Sequence, residues 1–461
     1  MIAAIDAILR ETMLFAAIGF LIGGIDDLII DLAFAVHRVQ RWAMPQGDAQ
    51  LRFLSALPTS ATKARIAIFV PAWDEAPVIG AMLASLVERI DYPDYCVYVG
   101  TYPNDPATIA AVAAMAERDG RIRLVIGTAN GPTTKAGCLN SLWAALARDE
   151  AAHGGYANAI VLHDAEDLVH PAELRLFAHF IGRYDTVQLP VLPLVDRHSR
   201  LVGGHYCDEF AEAHAKQLVV RQFLGAGLPL AGVGCAIART ALEAIAKSRG
   251  GAPFDAASLT EDYELGLTIA AMGGRGMMAR VRERPGGPLV AVRAFFPATL
   301  EAAVRQKSRW MIGIALAGWD RVGWARSGEW REHWMRMRDR RAPLAVLVLA
   351  AAYVALVSWG LACLLRWITG EPGTTPLVPA WLLGINAALL FWRLAMRILF
   401  TGVAYGAWES LWSVPRLFIS NLVSLLAARR AMMRYVAMLS GKTAVWDKTA
   451  HRFPTSPAST R

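Results

Sequence analysis

Between residues 65 and 295, short apolar runs rich in β-branched residues alternate with segments of helical spacing. The runs are 66–70, 97–100, 124–126, 159–162 and 186–189, and the helical segments between them are 76–89, 106–118, 135–149 and 171–183. Uninterrupted apolar runs suit strands covered on both faces. Their alternation with helices predicts an α/β domain with a mostly parallel sheet and helices on both sides. Ligands of such sheets bind beyond the carboxyl ends of the strands. Chemistry is therefore expected in PAWDEA (71–76), TYPND (101–105) and HDAED (163–167).

The flanking regions carry longer apolar stretches. Residues 343–365 contain no charged side chain, and 379–400 are apolar except for Arg393 and Arg397. A helix needs about 20 apolar residues to cross the hydrocarbon core, so both stretches are expected to span a membrane. Near the N-terminus, 13–25 are apolar, then Asp26, Asp27 and Asp31 follow, then apolar 32–36. These acids either pair inside a helix bundle, with Arg393 and Arg397 as natural partners, or form an ion or proton site. The segment does not read as a cleavable signal peptide, because Asp6, Arg10 and Glu11 do not make a basic start. In 409–426, Ser410, Ser413, Arg416, Ser420 and Ser424 form a polar stripe between apolar positions. That predicts an amphipathic helix lying in the interface, with a fourth span as the alternative.

Composition agrees with a mixed molecule. Of 461 residues 55% are hydrophobic and 19% charged, against about 25% charged in soluble domains. A disordered chain, a fibrous repeat and an ordinary cytosolic enzyme are excluded. Lys+Arg 47 against Asp+Glu 39 gives +8 without lysine runs, which reads as membrane-surface basicity and not as nucleic-acid binding. Basic residues cluster after the first span (Arg38, Arg41) and before the second (Arg321 to Arg341), which places the region between them in the cytoplasm. The five cysteines are scattered without a CxxC pair, so neither a disulfide framework nor a zinc site is expected.

Three motifs carry candidate chemistry. Asp164, Glu166 and Asp167 directly follow a strand, where carboxylates can hold a hard divalent cation on a diphosphate; the alternative is a solvated acidic turn. Glu261 and Asp262 follow Thr260 at a helix start. Capping explains acids there, and a general base aimed at a hydroxyl explains them equally. Gln306, Arg309 and Trp310 share one face of a helix expected over 298–319, offering phosphate contact and a flat ring; an ordinary amphipathic helix is the plain alternative. Lys135, in TKAGCLN (134–140), sits where it could meet phosphate.

Taken in order, PAWDE, ND, KAGxLN, DAED, GVGCA (232–236), TED and QxxRW, followed by membrane helices, resemble the membrane-bound family 2 glycosyltransferases of the cellulose and hyaluronan synthase type. VGTYPNDPAT (99–108), LHDAEDLVHP (162–171) and WDKTAHRFP (446–454) look like the bacteriophage-adsorption protein B group of inner-membrane glycosyltransferases. The resemblance implies a GT-A nucleotide-sugar-binding domain over 41–296, following an N-terminal transmembrane helix in 1–40. After it come an interfacial helix and basic loop (297–342), two transmembrane helices (343–400), an amphipathic interfacial helix (401–435) and a tail (436–461). It implies that Trp73 and Glu75 hold the nucleoside, Asp105 contacts the base and Lys135 lies by the diphosphate. Asp164 binds metal and diphosphate, and either Glu166 or Asp167 completes the metal shell, because the second acid of the DxD pattern is here a glutamate. Glu261 and Asp262 are then catalytic, with Asp262 as base, together with Gln306, Arg309 and Trp310.

The cation would be Mg2+ or Mn2+, since every candidate ligand is oxygen, and direct displacement predicts inversion. The implied partners are a nucleotide-sugar donor, a glycan or lipid-linked acceptor and the bilayer of a bacterial inner membrane, with no nucleic acid. About three spans are few for a polymer channel. That leaves room for an outer-membrane or periplasmic export partner, for oligomers, or for a sugar transferred to a polyprenyl phosphate carrier. A non-catalytic scaffold would predict eroded acids, yet Asp164, Asp262 and Arg309 all stand. Trp446, Lys448 and His451 in the tail read either as a loop folding over the site or as a loosely ordered end.

Overall fold

The computed structural model describes residues 2–43, 51–57, 64–372, 378–441 and 452–454. A 42-residue helix opens the chain, α1 (Ile2–Ala43). The alternating region then runs β1 (Ile66–Pro71), α2 (Ala76–Arg89), β2 (Tyr95–Thr101), α3 (Pro106–Arg118), β3 (Ile122–Ile126), α4 (Lys135–His153), β4 (Ala159–Leu162), α5 (Glu173–Phe180) and β5 (Thr186–Gln188). After it come α6 (Val202–Glu212), α7 (Leu218–Phe223), β6 (Cys235–Ala238), α8 (Arg239–Ser248), α9 (Glu261–Ala271), β7 (Gly276–Met278) and α10 (Leu300–Trp310). The chain continues through α11 (Gly318–Val322), α12 (Trp330–Arg340), α13 (Ala342–Thr369), α14 (Ala380–Tyr405) and α15 (Ala407–Leu439).

The seven strands form one sheet in the order β3-β2-β1-β4-β6-β5-β7. The five expected strands and the four helices between them are all present. The pattern did not announce β6 and β7, which are only 4 and 3 residues long. β6 is the single reversed strand, antiparallel to both β4 and β5. Alternate residues of β1 face opposite cores. Ile66, Ile68 and Val70 pack with α2 and α5, while Ala67 and Phe69 pack with α4, α8 and α9. Reversal has a functional effect: Cys235 pairs with Leu162, so the residues entering β6 lie at the same edge as those leaving β4.

Among the described residues, four helices are long and apolar enough to cross a membrane: α1, α13, α14 and α15. The apolar first part of α1 is bracketed by two ion-pair sites. Asp6 pairs with Arg366 at one end, and Asp26 and Asp27 pair with Arg338 and Arg341 at the other. At 1.5 Å per residue these sites lie about 30 Å apart, the thickness of a hydrocarbon core. The N-terminal acids thus pair within a bundle, but of the two expected partners only Arg393 reaches them. Arg393 reaches Asp27 at 3.5 Å while bonding Glu212, Arg397 bonds Asp208, and Asp31 pairs with Lys216. Sequence spacing shows which residues share a face and not which face covers them.

The last helix departs from expectation in the same way. It covers Ala407–Leu439 rather than 401–435, because α14 continues to Tyr405. The start of its polar stripe does not face an aqueous interface. Ser410, Ser413 and Arg416 are buried together with Val423, Ala427 and Ala431, while Leu411, Phe418, Leu422 and Val436 point outward. Arg416 is fully buried between Asp208 of α6 and Glu409, and Val423 packs on Ala303 of α10. A strong ion pair turns the stripe toward the protein.

Candidate active site

At the carboxyl edge of β1 and β4 a cavity collects most of the motif residues. Glu75, Lys135, Asp164, Glu166, Asp167, Glu261, Asp262, Gln306, Arg309 and Trp310 all line it. It holds about 150 Å³, less than the roughly 300–1,000 Å³ of a typical small-molecule site, so only part of a large ligand lies inside.

Lys135 is the first residue of α4, after Thr134, whose hydroxyl caps the helix by accepting from the Gly137 amide at 3.2 Å. A cation is unfavourable at a helix start, and nearby acids compensate. Lys135 Nζ lies 2.6 Å from Asp164 Oδ1 and donates to the Gly232 carbonyl at 3.3 Å. Burial pulls its pKa down, but Asp164, Glu261 and Asp262 outweigh burial and hold it above the ordinary lysine range.

Gly232, in the loop entering β6, adopts φ +74°, and a Cβ there would stand 2.4 Å from Asp262 Oδ2 and 3.3 Å from Lys135 Nζ. Only glycine admits this approach of base, lysine and backbone. The reversed strand delivers it, and two glycines just before a strand were the signal available in the sequence. Asp262 is pushed upward first by burial and then by Asp164, against the lowering charge of Lys135. Glu261 is raised by burial and by Asp262.

Thr260 does not cap α9 through its hydroxyl. Ser258 bonds Glu264 at 2.6 Å instead. Thr260 Oγ1 and Gln306 Oε1 are buried without a hydrogen-bond partner among the described residues, and both residues line the cavity. Buried polar atoms are rarely left so, and a polar ligand would satisfy them. The helix expected over 298–319 is α-helical only to Trp310. A π-helical turn, Met311–Leu316, follows and brings Gly313 against Thr260. Such turns recur at functional sites. Trp310 stands edge-on to Tyr206 at 6.1 Å and beside Phe210 at 6.2 Å. Phe210 and Phe296 complete an apolar wall that lay in stretches without a readable motif.

Three expected residues sit differently. The Asp167 carboxylate turns inward, accepting from the Asp164 amide at 3.0 Å and bonding His163 at 2.9 Å, so Glu166 is the better placed partner for Asp164. Asp105 lies outside the cavity lining. It caps α3 by accepting from the Thr108 amide and holds the Asp74 amide at 2.6 Å. Asp74 has φ 55°, and Thr108 accepts from the Glu75 amide at 3.0 Å; together these contacts set Glu75 at the cavity. Trp73 lies nearby, over Gly131 and edge-on to Tyr102 at 5.1 Å. Trp446, Lys448 and His451 fall outside the described residues. Close to them in the chain, Arg452 bonds Asp196 at 2.6 Å and stacks on Phe295, a cavity residue.

The acids suit a metal whose shell a ligand completes. Among the described residues no three His, Cys, Asp or Glu side chains form a metal cage. Asp164 and Glu166 offer two carboxylates, in keeping with Mg2+ or Mn2+ held partly by diphosphate and water. Six acids against Lys135 and Arg309 leave the cavity short of positive charge, so the residues present fit such a cation.

Comparison with known proteins agrees with this fold. The family described as "Glycosyltransferase like family 2" matches residues 64–313. The bacteriophage adsorption protein B of Escherichia coli strain K12 is 33% identical over 476 positions, covering 98% of this chain, as is the bacteriophage N4 adsorption protein B of E. coli O157:H7. The chain spans 63% of the length of these two relatives. The fold is shared with the mannosyltransferase PcManGT of Pyrobaculum calidifontis, solved with GDP-Man and Mn2+. The likeness has a TM-score of 0.56 at 20% identity and covers 93% of this chain and 99% of that one.

Proposed function

The chain belongs to the family 2 glycosyltransferases, and on that footing we propose that it moves a sugar from a UDP-sugar to a growing polysaccharide, inverting the anomeric centre. The observation that carries the reading is the meeting of Asp262, Lys135 and Asp164 across Gly232, opposite Arg309, in one cavity. Asp262 takes the proton of an acceptor hydroxyl. As that oxygen bonds to the anomeric carbon, the bond to the diphosphate oxygen breaks and its electron pair leaves with the nucleoside diphosphate. Lys135 and Arg309 offset the charge that develops there. Arg309 has no ion-pair or hydrogen-bond partner among the described residues, which keeps its guanidinium available. When bound at Asp164 and Glu166, Mg2+ or Mn2+ would neutralise further diphosphate charge. Trp310, with Phe210 and Phe296, offers flat apolar surface to a sugar ring, and Glu75 with Trp73 receives the nucleoside.

The arginines of the 321–341 region support a catalytic domain on the cytoplasmic side of a bacterial inner membrane. The product is then a surface or exported glycan that leaves through a partner. The test is release of nucleoside diphosphate by the purified protein in nanodiscs, offered UDP- and GDP-sugars with Mn2+ or Mg2+, with and without polyprenyl phosphate. Release from a UDP-sugar with a polymeric product is expected. A product that extracts only with lipid would move the acceptor to the carrier, and no release from any donor would overturn the enzymatic reading.

A further inference from the structure

The geometry points to His163 and Glu173 as positioning residues that fix the metal-holding loop through Asp167. This inference rests on the assignment of Asp164 and Glu166 to a divalent cation.

His163 follows the last residue of β4 and is fully buried. One ring nitrogen lies 2.9 Å from Asp167 Oδ2 and the other 2.7 Å from Glu173 Oε1. The same Asp167 oxygen accepts from the Asp164 amide at 3.0 Å, and the Asp167 amide returns to the Asp164 carbonyl at 3.2 Å. Asp164 and Glu166 therefore sit on a closed turn held from beneath by Asp167. The far end of the turn is fixed by Leu168, whose amide donates to the Arg293 carbonyl at 2.7 Å. Glu173, the first residue of α5, is buried as completely as His163.

Three ionisable side chains with no access to water are an expensive way to end a strand, and apolar packing of similar volume is often at least as stable. What the arrangement supplies is orientation. Both nitrogens of the ring are engaged, so neither His163 nor Asp167 can rotate without breaking a bond to the other. Supporting bonds of this kind around metal ligands typically change metal affinity 10–100-fold when removed.

The test uses the full chain in nanodiscs and measures Mn2+ binding by the electron paramagnetic resonance of free Mn2+, with UDP present and no acceptor. Glu173→Gln keeps the volume but replaces the charge-assisted hydrogen bond to His163 with a weaker neutral one. Phe177→Leu, buried in the same helix, serves as a control that loosens the core without touching the carboxylates. The Mn2+ dissociation constant is expected to rise about 10-fold or more in Glu173→Gln and to stay unchanged in Phe177→Leu, even where the two melting temperatures fall equally. Wild-type Mn2+ affinity in Glu173→Gln, or equal weakening in both variants, would overturn the positioning role. Absence of Mn2+ binding in the unmodified protein would overturn the metal assignment itself, and this inference with it.

Discussion

The cavity at the sheet edge gathers Glu75, Asp164, Glu166, Asp167, Glu261 and Asp262 around only two cations, Lys135 and Arg309. The layer where α6 meets the long helices is also rich in charge, but there Asp26, Asp27, Asp31, Asp208, Glu212 and Glu409 face Lys216, Arg338, Arg341, Arg393, Arg397 and Arg416. Every one of these twelve belongs to an ion pair. Both groups sit largely out of water. A balanced set holds helices together and resists change, while an unbalanced set has room for a charged ligand. The contrast separates structural acids from chemical ones better than burial does.

The largest effect should come from the unbalanced side. Asp262→Asn removes the base but also relieves repulsion with Glu261 and Asp164. Turnover should fall about 10²–10⁴-fold, with the melting temperature held or raised. Full turnover would remove Asp262 from the mechanism. A large loss of stability would show that its charge supports the fold, and the two regions would then not differ as described.

The balanced side should answer in the opposite way. Arg416→Met leaves Glu409 and one oxygen of Asp208 without their partner in a site closed to water. Breaking a buried pair from one side typically destabilises by about 3–5 kcal/mol. α6 also needs glycine at Gly204, where a Cβ would meet the Arg416 guanidinium at 2.4 Å, so the arginine is built into the helix contact. Thermal unfolding in detergent checks this. A variant that melts like the parent protein would mean the pairs are dispensable.

This second region explains what the sequence could and could not disclose. Runs such as 66–70 and 159–162 give strands because apolar, β-branched residues covered on both faces have few other uses. DAED, TED and QxxRW fall on one cavity because strand ends and helix starts converge at one edge of a parallel sheet. β6 is illegible because four residues are too few to carry a period, and its reversal, which brings Gly232 to Asp262, is a tertiary fact. Arg338 and Arg341 carry two messages at once. As basic residues before a span they signal orientation, and as partners of Asp26 and Asp27 they hold α1. The Ser410–Ser413–Arg416 stripe fixes a face of α15 but not the neighbour that covers it. Asp105 and Asp167 belong to the expected motifs, yet their carboxylates act on backbone amides and on His163.

The smallest expected effect is a pH dependence with opposite sign for the cavity acids and for Glu212 of α6. Burial and neighbouring acids raise Asp262 and Glu261 above the ordinary carboxylate range. The base must be ionised, so kcat/KM should fall as pH drops through that raised value, above the usual carboxylate region near 4. Stability in the same window should move the other way. A carboxyl whose folded pKa exceeds its unfolded pKa binds more protons when folded, so lowering the pH between those two values stabilises the protein. Glu212 behaves in reverse: burial raises it, but Arg393 and Lys216 outweigh burial and hold it below the ordinary range. Its contribution is complete above the unfolded pKa and is lost only as pH falls through the lowered folded one. Acidification from neutrality should therefore first reduce activity while the melting temperature holds or rises, and only further acidification should melt the layer around α6. Parallel loss of activity and stability from the first step would show that the cavity acids are paired like those of the membrane layer. Asp262→Asn should reduce the early rise in melting temperature, leaving the share that burial of Glu261 contributes, and leave the later fall in place.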